Sequence, residues 1–166
     1  MVSGAEPLLR VALLTVSDSV SRGAREDLSG PALRQRCEEL GWRVVSTLVV
    51  PDESVVVQMR LIELADSGQA DLILTTGGTG LGPRDVTPEA TASVCSRLIP
   101  GLSERMRRAG ETKNPRAVLS RAMAGARKAA LIINLPGSPQ GAVESLDAIA
   151  ELLPHAVEVL RGGGHD

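Results

Sequence analysis

The chain has no Phe and no Tyr, and its only aromatic side chain is Trp42. A core must therefore be built from Leu, Val, Ile, Ala and Met. Binding of single-stranded nucleic acid by base stacking, which needs aromatic platforms, is disfavoured. Lysine is scarce beside arginine, the net charge is −2, and no segment is basic enough to form a nucleic-acid or membrane surface. The run Arg105–Met106–Arg107–Arg108 is expected to be a solvated helix face. The N-terminus lacks a signal-peptide pattern, and no apolar run reaches membrane-spanning length. Only two cysteines occur, Cys37 and Cys95, each within a helical pattern. They read as buried free thiols, which suits a reducing cytoplasm. No His has a Cys or His partner at zinc spacing, and no Ser-His-Asp or G-x-S-x-G arrangement is apparent.

What is present is alternation. Residues 8–17 (LLRVALLTVS) form a nearly continuous apolar run with β-branched members, the signature of a buried strand. A helix is expected from Ser29 or Gly30 to Gly41, a strand over 42–50, a helix capped by Ser54, and a strand over 70–76. Thr87 is expected to cap a helix over 87–99, with Pro88 at its first position and Glu89 near its positive end. A short helix over 100–110 follows, then a helical turn and an edge strand within 115–128. A strand over 129–136 precedes one or two closing helices, with Pro154 as the break. At 166 residues this is one domain over 1–166, with 1–7 and 161–166 as frayed tails. The expected class is three-layer α/β/α with a mostly parallel central sheet and an antiparallel edge strand.

In such sheets ligands bind outside the carboxyl ends of the strands. The four apolar strands end in SDSVSRGAREDLSGP, VPDE, TTGGTGLGPRDVTPEA and NLPGSPQGA, all rich in Gly, Pro, Ser, Asp or Asn. Turns favour these residues anyway, so one such end means little. Four on one edge suggest close backbone approach to a ligand. The GGTG run before the Thr87 helix offers backbone N–H groups to an anion, yet is neither a Walker A loop nor a dinucleotide fingerprint. Asp52 and Asp85 lie at two strand ends beside it. Mg²⁺ takes one or two carboxylates and shares the rest of its shell with water and phosphate. The competing reading of each Asp is a helix-start cap. Asp27 either caps a helix or faces the ligand, with the ligand favoured. Arg84 pairs with Asp85, with a phosphate, or with a surface carboxylate. Asn134 satisfies loop backbone or reads a heterocycle.

TTGGTG, PRDVTPEAT, SGP, VPDE, LSR and NLPGSP, in this order along the chain, resemble the molybdopterin adenylyltransferase family, the Mog/MoaB-like group. The resemblance runs from about Val11 to Leu160. It implies a reaction in which the terminal phosphate of molybdopterin attacks the α-phosphate of ATP, assisted by Mg²⁺, with loss of pyrophosphate. It implies that Asp52 and Asp85 hold or orient the Mg²⁺–triphosphate. Gly77, Gly78, Thr79 and Gly80 would cradle phosphate, and Ser120, Pro136, Gly137 and Ser138 would line the pterin side. It also implies a homotrimer or a multiple of it, and handover of the product to a separate molybdate-insertion enzyme. Within the same family, a non-catalytic molybdopterin-binding or assembly protein is the alternative.

Overall fold

The computed structural model describes residues 9–163. Its elements are β1 (Arg10–Val16), α1 (Asp18–Ser21), α2 (Ser29–Glu39), β2 (Arg43–Val50), α3 (Ser54–Asp66), β3 (Leu72–Thr76), α4 (Thr87–Val94), β4 (Arg97–Leu98), α5 (Pro100–Glu111), β5 (Ala124–Arg127), β6 (Ala130–Leu135), α6 (Pro139–Ile149) and α7 (Leu153–Leu160). Short 3-10 turns occupy Pro115–Leu119 and Ala150–Leu152. One six-stranded sheet runs in the order β2-β1-β3-β6-β5-β4. The strands β2, β1, β3 and β6 are parallel, whereas β5 is antiparallel to β6 and β4 to β5.

Alternation along each parallel strand divides the core in two. Val11 and Leu13 of β1, with Leu131, Ile133 and Leu135 of β6, face α2, α6 and α7. Ala12, Leu14 and Val16, with Ala130 and Ile132, face α3 and α4. This is the expected three-layer architecture, filled by branched aliphatic side chains. Each fully buried Leu or Ile contributes roughly 1.5–3 kcal/mol relative to exposure. Trp42 lies in the first of the two cores.

The boundaries differ from expectation in places. Residues 95–99 leave the helix: Cys95 turns extended, and Ser96 and Ile99 donate to Ala126 and Ala124 of β5, so β4 forms instead. The antiparallel edge thus has two strands. Ser54 does not cap α3; its hydroxyl accepts from the Gln58 side chain and Glu53 is the extended residue before the helix. Cys37 is buried but Cys95 only half so; burial pushes their thiols up to about 12 and about 11. Arg107 is no solvated residue, since it donates to the carbonyls of Ser120 and Ala122 at 3.2 and 2.9 Å. Of the tails, 1–7 and 164–166 lie outside the described residues. Arg161 is not frayed: it ends α7 and pairs with the buried Asp71. Among the described residues no helix is long and apolar enough to cross a membrane.

Register sets the position of the site. Val16 pairs with Val50, Thr15 with Thr76 and Thr76 with Leu135. The four parallel strands therefore end in one row, and the chain reverses its direction of travel across the sheet between β1 and β3. Such a switch point leaves a crevice at the carboxyl edge.

Candidate active site

At that crevice the backbone approaches unusually closely. Gly77 has φ +101° and lies against the Val16 carbonyl, so no Cβ fits. Gly78 follows at φ +69°, and a Cβ there would stand 3.2 Å from Asp52 Oδ1 and collide with Thr87. Only glycine tolerates both the left-handed backbone and the contact. Contrary to the expectation from its place before Pro88, Thr87 does not cap α4. Val86 precedes the helix without a side-chain cap, and Thr87 is its first residue. Its buried hydroxyl donates to Gly77 O at 2.9 Å and its N–H to Gly78 O at 3.2 Å. The hydroxyl thus ties the glycine turn to the helix start. Beyond the turn, the N–H groups of Gly78, Thr79, Gly80 and Leu81 find no acceptor among the described residues. Successive unpaired amides of this kind form an anion-binding concavity.

Around it stand the carboxylates. Asp52 Oδ2 accepts from Asp18 N at 2.8 Å, and Asp18 Oδ1 accepts from Asp52 N at 2.9 Å. Arg84 pairs not with Asp85 but with Asp18, in an exposed ion pair of two 3.0 Å bonds, the surface-carboxylate alternative. Those bonds, helped by the Asp52 N–H, hold the Asp18 carboxyl below its ordinary range. Asp52 goes the other way. Burial pushes it above its ordinary 3.8, outweighing the Asp18 N–H, and the charges of Asp18 and Asp85 push in the same direction as burial. Asp85 Oδ2 accepts from Gly82 N at 2.8 Å. Asp52 and Asp85 thus each keep one oxygen pinned by backbone, while Oδ1 accepts no bond among the described residues.

Asp27 is committed differently. Its Oδ1 accepts from Gly30 N at 3.0 Å and its Oδ2 from the Thr15 hydroxyl at 2.9 Å. The carboxylate closes the start of α2, which neither Ser29 nor Gly30 caps. Asn134 resolves to the structural alternative. Fully buried, it donates to the hydroxyls of Thr75 and Thr91 and accepts from Met123 N, locking β3, β6, α4 and the residue before β5 together.

Two clefts meet here. The smaller, about 340 Å³, is lined by Asp27, Asp52, Asp85, Gly77, Gly78 and Gly137. The larger, about 630 Å³, is lined by Thr79, Gly80, Ser120 and Pro136, with Lys113 and Arg116 at its rim. Ser138 borders both while its hydroxyl caps α6 at Gly141 N, 3.1 Å away. Asp27, Asp52, Asp85, Gly77, Gly78, Thr79, Gly80, Pro136, Gly137 and Ser138 therefore line one of two adjoining clefts, with Gly137 on the carboxylate side, whereas Arg84 and Asn134 line neither. Among the described residues no group of three or more His, Cys, Asp or Glu is placed to hold a metal ion. Two half-free carboxylates beside unpaired amides suit a hard cation that takes the rest of its shell from phosphate and water.

A family described as "Probable molybdopterin binding domain" matches residues 12–155. The chain belongs to this family. It is 41% identical to the molybdopterin adenylyltransferase of Helicobacter pylori strain J99 over 156 residues, covering 93% of this chain and 89% of that protein. With the molybdopterin adenylyltransferase of Escherichia coli K12 it shares 36% identity over 174 residues, covering 93% and 86%. The structure resembles the crystal structure of the molybdopterin biosynthesis enzyme MoaB from Thermus thermophilus. The TM-score is 0.88 at 47% identity, with 96% of this chain and 100% of that chain covered.

Within this molybdopterin-binding fold, sequence reasoning overlooked Asp18. Asp18 stands two residues beyond Val16, as Asp52 stands two beyond Val50, but that those valines are register partners shows only once β1 is seen beside β2. Arg121 is the last residue of the LSR motif, and nothing in its local sequence fixes its position. It lies behind the glycine loop rather than in either main cleft.

Proposed function

We propose that this protein is a molybdopterin adenylyltransferase of molybdenum cofactor biosynthesis. An anionic phosphate oxygen of molybdopterin attacks the α-phosphorus of ATP. The new O–P bond forms as the bond to the β-phosphate oxygen breaks, and pyrophosphate departs with the electron pair. The nucleophile is already ionised at neutral pH, so no protein base is needed and catalysis rests on positioning and charge neutralisation.

The observation that carries this reading is the pair Asp52 and Asp85, each pinned by one oxygen and open at the other, beside four unpaired amides. In the smaller cleft Asp52 and Asp85 would hold Mg²⁺, which supplies charge neutralisation for the triphosphate. Gly78, Thr79, Gly80 and Leu81 run from that cleft to the larger one, so their amides receive phosphate oxygens at the junction. Ser120, Pro136 and Ser138 line the pterin side, while Asp27 supports the nucleotide side by fixing the start of α2. The apolar part of the larger cleft is aliphatic, including Met106 and Leu119, and offers a flat heterocycle a surface without aromatic stacking.

The family resemblance further supports a single domain, a cytoplasmic setting, a homotrimer or multiple of it, and handover to a molybdate-insertion enzyme. Incubation with molybdopterin, ATP and Mg²⁺ is expected to release pyrophosphate in step with adenylylated molybdopterin. Pterin binding without pyrophosphate release would replace the enzyme with the non-catalytic binding protein. Sedimentation of the purified chain tests the oligomer.

A further inference from the structure

We infer that Arg121 is a positioning residue for adenylyl transfer, aiming the amides of the glycine loop into the substrate cleft from behind; this rests on the proposed function. One residue holds three carbonyls of that loop. Arg121 N donates to Thr79 O at 2.9 Å, Nε to Gly80 O at 2.8 Å and Nη2 to Asp85 O at 2.7 Å. Its remaining donor, Nη1, pairs with Glu89 in the first turn of α4. In a trans peptide the C=O and the following N–H point in opposite directions. Fixing the carbonyls of Thr79, Gly80 and Asp85 on Arg121 therefore turns the N–H groups of Gly80, Leu81 and Val86 away from it. None of these three amides has an acceptor among the described residues.

The clefts agree with that division. Thr79, Gly80 and Leu81 line the large cleft, and Arg121 does not. Arg121 instead lines a third cleft of about 460 Å³ with Glu89 and Met123. The guanidinium therefore acts through the loop and not on the substrate. It also joins both ends of the Thr79–Asp85 segment, so it sets where Asp85 begins. A lysine cannot replace it, because a single ammonium lacks the planar fork that reaches Gly80 O, Asp85 O and Glu89 together.

Arg121→Lys and Arg121→Ala are compared with wild type in pyrophosphate release from ATP and molybdopterin, in affinity for pyrophosphate alone, and in thermal melting. Arg121→Lys should melt near wild type while kcat falls by about 100-fold, the scale of losing preorganised anion donors. Pyrophosphate affinity should weaken in parallel. Millimolar guanidinium should restore Arg121→Ala at least in part, whereas urea at the same concentration should not. Unchanged kcat and pyrophosphate affinity in Arg121→Lys overturn the assignment. So does a loss of activity that tracks melting temperature in both variants and ignores guanidinium. A wild-type protein that neither turns over nor binds pyrophosphate overturns the proposed function itself.

Discussion

Asp52 and Asp85 look alike in sequence, yet their surroundings assign them different chemistry. Asp85 is held by Gly82 N at the mouth of the glycine loop, with its second oxygen open. Asp85→Asn keeps an acceptor for that N–H, so melting should shift by no more than the ~1 kcal/mol of one hydrogen bond. Adenylylation, followed by pyrophosphate release, should fall by roughly two to three orders of magnitude as several kcal/mol of charge stabilisation is lost. Wild-type turnover would remove Asp85 from the site. Asp52 makes a pH prediction. Its carboxyl titrates above the ordinary 3.8 because burial and neighbouring carboxylates disfavour the anion. A group with a raised folded pKa contributes stability below its unfolded pKa and loses it as pH rises through the folded value. At neutral pH, without metal, ionised Asp52 therefore costs stability. Asp52→Asn should melt higher than wild type at pH 7 in chelator, with the advantage vanishing as pH falls below about 4. Adding Mg²⁺ and ATP should stabilise wild type more than the variant. An advantage that grows toward acid pH would contradict the burial argument.

At the scale of elements, the glycine loop and the start of α4 form one unit. Helix caps were the least legible part of the sequence, for a consistent reason. Thr87 and Ser54 have the right side chains and neighbours for caps, but other partners take them: Gly77 O in the preceding glycine turn claims Thr87, and Gln58 one turn on in α3 claims Ser54. Asp27, given a ligand role, instead closes α2 because Thr15 on β1 and Gly30 lie within reach. Local chemistry names a residue's capability, and packing from distant elements decides its use. The loop itself can be tested without backbone strain at Gly80, whose Cβ would meet Asp85 Oδ2 at 2.9 Å. Unlike Gly77 and Gly78, Gly80 does not have a positive φ. Gly80→Ala should therefore fold nearly as well as wild type while displacing the Asp85 carboxylate. Titrating Mg²⁺ in the turnover assay should show a raised requirement. An unchanged requirement would mean that the Asp85 carboxylate does not set metal affinity.

For the whole molecule, what could be read in advance was the row of strand ends. Continuous apolar strands joined by helices implied a parallel sheet, and a parallel sheet brings every carboxyl end to one edge. That step alone placed Asp52, Asp85, Gly77 and Pro136 together across some eighty residues of chain. Strand order was not legible, because hydrophobic pattern marks which faces are buried and not which strands are neighbours. Asp18 and Arg121 were hidden for that reason, since their roles depend on β1 lying beside β2 and on the 115–121 segment passing behind the glycine loop. The same topology gives the sharpest test of the site. Asp52 follows β2 and Asp85 follows β3, with α3 between them in sequence and β1 between them in the sheet. No local segment couples them, so beyond the direct repulsion of the two carboxylates any coupling in Mg²⁺-dependent binding must pass through a shared ligand. If both hold one Mg²⁺–ATP, either Asn substitution alone should weaken Mg²⁺-dependent ATP binding, and the double variant should lose less than the sum. A coupling of about 1–3 kcal/mol is the scale for groups acting on one partner. Calorimetric titration of ATP with and without Mg²⁺ across the four proteins measures it. Strict additivity would mean separate roles, with Asp52 serving its reciprocal bonds to Asp18 and Asp85 alone facing the metal.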